Sequence, residues 1–277
     1  MGGRDPLSQC HAGSMRAGRT FALVVAHPDD DAFSWAGTVA LHASEVGFRF
    51  VLVHATDGEA GDIREGFRAT PETLGGIRRG ECEAAWRAVG REPDRHDWLG
   101  FPDGRVAEVP MEELTQRIAA VLDEELPDVV ATFGPDGITG HPDHVAVGAA
   151  TDTAFARLAG AGRPGFRRLL HHVLPKSVFD RWQGQRRALG LPVFDPARTY
   201  HGRGVPDEDV GLIVDCSAVA TRVVAGILQH RSQLHVMVDT PIDHHRLERI
   251  VRREWASVVW PVPKASDPVL DDIFDGL

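Results

Sequence analysis

Cysteine is scarce in this 277-residue chain: Cys10, Cys82 and Cys216 stand far apart, and no C-x-x-C pair occurs. An odd number of distant cysteines argues against a disulfide framework and against a zinc site built from thiolates. No apolar run approaches the roughly 18–20 residues of a membrane-spanning helix, so no membrane span is expected. The first twenty residues lack the apolar stretch of a signal peptide. They read as a flexible lead over residues 1–19, and a reduced, cytoplasmic setting is the expectation. The patterns G-x-G-x-x-G and G-x-x-x-x-G-K-[ST] are both missing, so nothing supports a phosphate cradle. Basic residues are outnumbered, giving a formal net charge of −10. That is the reverse of the basic face a nucleic-acid partner favours. Tyrosine occurs once, at Tyr200, whereas histidine occurs 14 times.

What is present alternates between apolar runs and helical patterns. Phe21–Ala26 reads as a strand buried on both faces, ended by His27-Pro28 because proline cannot continue a ladder. A helix is expected from Asp31, as N-cap, to Val46, with Gly47 as the stop. Phe48–His54 is a second strand. Pro71–Val89 reads as a helix closed by Gly90, and Asp97–Phe101 as a short strand. Met111, Leu114, Ile118, Val121 and Leu122 form one apolar helix face, which Pro127 ends. Asp128–Phe133 is another buried strand, and Pro142 suits the first turn of a following helix. Further on, Leu169–Leu174 and Glu254–Val262 read as strands, and Val219 to Leu234 as an amphipathic helix. Lys176–Leu191 is a basic stretch. Strands alternating with helices predict an α/β, Rossmann-like three-layer fold with a mostly parallel sheet. Residues 20–277 are expected to form a single domain, with the catalytic core in 20–160 and a pocket-walling segment in 161–277.

Two short motifs carry chemistry. Ala26-His27-Pro28-Asp29-Asp30-Asp31 follows one buried strand, and Gly140-His141-Pro142-Asp143-His144 follows another. In parallel α/β sheets, ligands sit outside the carboxyl ends of the strands, so both motifs face one edge. His27 and Asp30 are three apart across a tight turn and can point at one divalent ion. His144 completes a two-histidine, one-carboxylate set that leaves positions open for water. Asp29, adjacent but not a ligand, is placed as general base. His141 lies one helical turn from His144, as a general acid or an oxyanion stabiliser, and Asp143 is placed to orient a histidine.

The paired motifs resemble those of the PIG-L/LmbE family of zinc-dependent N-acetylglucosaminyl deacetylases. Thr56-Asp57-Gly58-Glu59-Ala60-Gly61, Ile77-Arg78-Arg79-Gly80-Glu81, Leu99-Gly100-Phe101-Pro102-Asp103-Gly104, Gly134-Pro135-Asp136-Gly137 and His230-Arg231-Ser232-Gln233 look like further family motifs. The resemblance covers roughly residues 20–235. It implies His27, Asp30 and His144 as metal ligands, Asp29 as base, and His141 backed by Asp143 as acid or electrostatic partner. Arg78 and Asp103 fall where members contact sugar hydroxyls. Three features depart from the pattern. Asp31 stands where most members carry glutamate. Thr139 stands where some carry a tyrosine, and Tyr200 is expected to lie elsewhere. Residues 163–210 match no shared motif.

The sequence thus predicts a metal-dependent hydrolase that removes an acyl group, acetyl by preference, from a small N-acetylated amino-sugar substrate. Zn²⁺ is the expected cofactor, with Fe²⁺ or another divalent ion compatible with the same ligands; a homo-oligomer is compatible with the chain. A non-haem Fe(II) oxygenase shares the ligand set, but would not need the spare carboxylate Asp29. A non-catalytic sugar- or nucleotide-binding module would not need it either.

Overall fold

The computed structural model describes residues 19–238 and 243–277. Cys10 and the lead up to residue 18 lie outside the described residues. Among the described residues seven strands form one sheet: β1 (Arg19–Val25), β2 (Phe48–His54), β3 (Arg95–Trp98), β4 (Val129–Phe133), β5 (Arg168–His172), β6 (Leu212–Asp215) and β7 (Arg253–Trp260). Their order is β3-β2-β1-β4-β5-β7-β6. All neighbours are parallel except β7, which runs antiparallel to β5 and β6. The helices in chain order are α1 (Asp30–Ser34), α2 (Ala36–Leu41), α3 (Pro71–Val89), α4 (Met111–Glu125), α5 (Gly137–Gly140), α6 (Pro142–Gly160), α7 (Lys176–Ala188), α8 (Ala220–Ile227), α9 (Leu234–Met237) and α10 (His244–Ile250). None of these is long and apolar enough to cross a membrane.

The order explains where a site can form. From β1 the chain steps outward to β2 and β3, then returns to the other side of β1 as β4. Right-handed crossovers therefore put α1–α3 on one face and α4 and α6 on the other, and α3 packs on α8 while α4 packs on α6. A crevice opens at the carboxyl ends of β1 and β4, where the strand order reverses. Central position also explains composition: Phe21, Leu23, Val24, Val51, Leu52, Val129 and Val130 are all fully buried, as a strand covered on both faces requires.

Local chemistry accounts for the long helices. Thr70, the cap, and Thr73, in the first turn, form a capping box around Pro71, and Gly90 closes α3 at φ 84°. In α4, Leu114, Ile118 and Leu122 are buried, and the helix ends at Leu126, before Pro127. His141 caps α6 by accepting the Asp143 N–H at its Nδ1 (3.1 Å).

Several expected elements differ. The helix expected over 31–46 is two short ones, broken at Trp35 and ending at Leu41. The break frees the first N–H groups of α2, and the Glu254 carboxylate on β7 accepts those of Gly37 (2.6 Å) and Thr38 (2.9 Å). Trp35 itself is buried against Phe21. Asp31 is not the cap; it lies inside α1, fully buried, and Asp29 holds the cap position. β3 starts two residues early, at Arg95, and the chain to Phe101 stays bonded to the β2 exit through Leu99 N to His54 O and Phe101 N to Ala55 O (both 2.9 Å). β5 likewise starts at Arg168 and stops at His172. The expected Val219–Leu234 helix stops at Ile227, because Ser232 is drawn to Glu81 through both its N–H (2.8 Å) and its hydroxyl (2.6 Å). The basic 176–191 stretch is largely the helix α7.

Candidate metal and catalytic centre

His27 leaves β1 as the ladder ends, and its ring is held from behind. Nε2 lies 3.0 Å from Asp103 Oδ1 and 3.3 Å from Asp143 Oδ2. Asp143 is itself fixed, accepting the N–H groups of Gly104 (2.8 Å) and Val106 (3.0 Å). Two carboxylates on Nε2 place the ring proton there and leave Nδ1 as a lone-pair donor. His144 is arranged the opposite way. Its Nδ1 donates to Gly137 O at 3.0 Å, its ring stacks on Phe133, and Nε2 is left facing His27.

The free nitrogens meet Asp30. His27 Nδ1 and His144 Nε2 are 3.2 Å apart; Asp30 Oδ2 is 3.3 Å from the first, and its Oδ1 is 3.3 Å from the second. Ligands on ~2.0–2.1 Å arms of a tetrahedron stand roughly 3.3–3.4 Å apart, so the donor spacing fits a divalent ion. So does the local charge, since Asp29, Asp103 and Asp143 also converge here. Burial opposes ionisation of Asp30, but His144 and His27 together hold its carboxyl well below the usual range. His141 is the remaining nearby donor, with a nitrogen within 4.8 Å of those of His27 and His144.

Asp29 stands beside this set. Its backbone has φ 134°, a region L-residues rarely adopt, and such strain persists where the surroundings over-determine it. The over-determining partner is Arg78, buried at 4% exposure. Arg78 donates to Gly58 O (2.9 Å), Pro28 O (2.8 Å) and Asp29 Oδ2 (3.0 Å). Burial pushes the Asp29 carboxyl up to about 7, against the pull of Arg78. His141 is pushed down to about 4 by burial and then by His27 and His144. It is therefore neutral near pH 7. Because its Nδ1 accepts the Asp143 N–H, its proton sits on Nε2, where it can be donated to an oxyanion.

The structure thus brings together His27, Asp29, Asp30, Asp103, His141, Asp143 and His144, with Arg78 behind Asp29. Two expectations shift. Asp143 bears on His27 through its side chain and on His141 through its backbone. Tyr200 is not remote: its ring meets His141 edge-on, with centroids 4.9 Å apart. Asp31 does more than start a helix. It accepts from Trp86 Nε1 (2.6 Å), from the Cys82 thiol (3.4 Å) and from Asp29 N (3.1 Å), tying the metal-side loop to α3. Behind it, His54, Cys82 and His96 form a second cluster. The 2.9 Å contact of His54 Nδ1 with His96 Nε2 is shorter than two ligands of one tetrahedral ion keep, and is a hydrogen bond. His171, at the end of β5, is bonded to Asp152 (2.8 Å) and takes no part in the centre.

Comparison with known proteins places the chain in a family. Residues 22–155 match the family PIG-L: GlcNAc-PI de-N-acetylase. A 1D-myo-inositol 2-acetamido-2-deoxy-alpha-D-glucopyranoside deacetylase 2 from Saccharopolyspora erythraea is 32% identical over 242 residues, spanning 76% of this chain and 82% of the relative. The chain belongs to the PIG-L family. Solved structures share the fold. N,N'-diacetylchitobiose deacetylase from Pyrococcus horikoshii superposes with TM-score 0.58 at 22% identity, covering 87% of this chain and 84% of that one. The 4-carboxy-2-hydroxymuconate hydratase GalB from Pseudomonas putida superposes with TM-score 0.60 at 17% identity, covering 89% and 98%. A hydratase on the same scaffold means that the reaction must be argued from side chains, not from the fold.

Proposed function

We propose that this PIG-L family deacetylase is a divalent-metal amidohydrolase that removes acetyl from the amino group of an N-acetylglucosaminyl substrate. The observation that carries the reading is the convergence of His27 Nδ1, His144 Nε2 and Asp30 beside a carboxylate, Asp29, that is not needed to hold an ion. His27, Asp30 and His144 would hold the ion, Zn²⁺ by donor type, which supplies Lewis acidity toward a water and the amide carbonyl.

The chain's own groups do the rest. Asp29 takes the proton from the attacking water and returns it to the departing amine nitrogen. The C–N bond breaks to give acetate and a free amino sugar. Arg78 keeps Asp29 aimed and ionised, and the neutral His141 donates its Nε2–H to the developing oxyanion. Asp103 and Asp143 fix the His27 ring, and Asp103 is also the residue proposed to meet a sugar hydroxyl, which would share its oxygens with His27 and the Ala60 N–H.

The test is a mass-spectrometric screen of N-acetylated amino sugars against zinc-loaded and chelator-stripped protein. 1D-myo-inositol 2-acetamido-2-deoxy-alpha-D-glucopyranoside, the compound named for the Saccharopolyspora relative, belongs in the panel. Loss of acetyl by the loaded protein alone supports the reading; equal turnover by both forms removes the metal from it.

A further inference from the structure

Residues 200–203 cross the loop that carries His141. Tyr200 sits at φ 65°, is 66% exposed, and packs its ring edge-on against His141. Three residues on, Arg203 N donates to Ile138 O at 2.9 Å. The Arg203 side chain then lies flat on Gly140, the residue before His141: a Cβ built there would stand 2.1 Å from Nη2 and 2.5 Å from Cζ. Only a glycine, here at φ 69°, admits that approach.

Among the described residues this guanidinium has no partner. Its Nε is buried without a hydrogen bond, and among the described residues no carboxylate pairs with Arg203. Arg78 and Arg79 also bury an unbonded Nε, but each is paired with a carboxylate, Asp29 and Asp57 respectively. A guanidinium cannot shed its charge, and a half-buried, unpaired one is costly to keep. Its fork of donors matches carboxylate and phosphate oxygens.

We propose that Tyr200 and Arg203 form the subsite for the substrate group beyond the acetamido sugar, and that Arg203 takes an anionic group there, a carboxylate or a phosphate. This rests on the deacetylase reading of the adjacent centre. It locates substrate selection in the part of the chain, residues 163–210, that carries none of the family motifs.

The experiment uses zinc-loaded full-length protein and two readouts. Calorimetric binding is measured with the amine products, which need no turnover: methyl glucosaminide, glucosamine 1-phosphate and carboxymethyl glucosaminide. Deacetylation is measured with their N-acetyl forms. Wild type should bind one or both anionic sugars roughly 10- to 100-fold tighter than the methyl glycoside, the span of a charge-assisted bond. The phosphate and carboxylate arms tell which anion fits. Arg203→Gln should bring that ratio to about one, and Arg203→Lys, which keeps the charge but not the fork, should leave an intermediate ratio. Equal affinities in wild type overturn the proposal. So does a preference kept in Arg203→Gln, as expected of a phosphate that simply sits on the metal. The ratio is read only from variants whose melting temperature matches wild type, and Arg203→Lys supplies it where Arg203→Gln is unstable. No turnover of any N-acetyl form by wild type would overturn the deacetylase reading, while the binding ratio still decides the subsite.

Discussion

Arg78 Nη2 lies 3.0 Å from Asp29 Oδ2, and the same guanidinium bonds the carbonyls of Pro28 and Gly58. One side chain from α3 thereby fixes both the strained backbone before Asp29 and the loop opposite. Its family position suggests a sugar contact, but its protein bonds make it a support for the base. Arg78→Ala should therefore lower kcat by roughly 10²-fold, more than it raises KM, since misplacing a reacting group by about 1 Å costs that much. It should also lower the melting temperature, because two buried carbonyls lose their donor. Steady-state kinetics with a thermal melt decides; a pure KM effect at unchanged stability would return Arg78 to the role of substrate contact.

Asp29 and Asp30 are adjacent but face different tasks. Asp29→Asn keeps the size and loses the base, so bound zinc should stay near one equivalent while kcat drops roughly 10²–10⁴-fold. Asp30→Ala removes a donor from the His27–His144 pair, so zinc content should fall and excess metal should restore part of the rate. Elemental analysis with kinetics separates them. Zinc loss confined to Asp29→Asn would reverse the two roles.

The acid limb of activity follows from the same carboxylate. A base works only when ionised, so kcat/KM should rise with pH through the Asp29 pKa. Burial pushes that carboxyl up to about 7, while a bound cation favours its charged form and pulls it down. The limb should therefore fall between roughly 4, the ordinary carboxylate value, and 7. It should move upward in Arg78→Ala, which removes a favourable charge, and vanish in Asp29→Asn. A wild-type limb above pH 8 would rule Asp29 out as the titrating group.

How legible all this is in the sequence depends on the range of the interaction concerned. β1, β2 and β4 announce themselves as apolar runs because both faces are covered. α3 and α4 carry their own caps and stops. The two histidine motifs are visible as donor types placed just after those strands. The break between α1 and α2 is not, since it depends on Glu254, 217 residues away from Gly37. β6 is four residues with only alternate ones buried, and α7 buries just Phe179 and Gln183, so neither has a pattern to read. Tyr200 and Arg203 lie in a stretch without periodicity. Their meeting with His141 and Gly140 is a tertiary fact that local spacing does not encode.

Gly148 tests how tightly the centre depends on packing beneath it. It lies in α6, four residues after His144, where the helix crosses β4. An alanine in a helix interior ordinarily gains about 1 kcal/mol over glycine, and that alone would stabilise the protein. Here a Cβ would stand 2.5 Å from Phe133 O, a backbone atom that cannot rotate away. Overpacking of this kind costs roughly 1–3 kcal/mol, so the steric effect should outweigh the propensity gain and Gly148→Ala should melt lower than wild type. The strain has a direction as well. Relief requires α6 to move off β4, carrying His144 and Asp143 away from His27, whose position is set by β1 and by Asp103. The 3.2 Å separation of their donor nitrogens should then widen, and zinc affinity should weaken although no ligand has changed. Competition with a chelator of known affinity measures the second effect and a thermal melt of the metal-free protein the first. A Gly148→Ala variant that melts higher and binds zinc as wild type does would show that α6 and β4 can separate without disturbing the ligand pair.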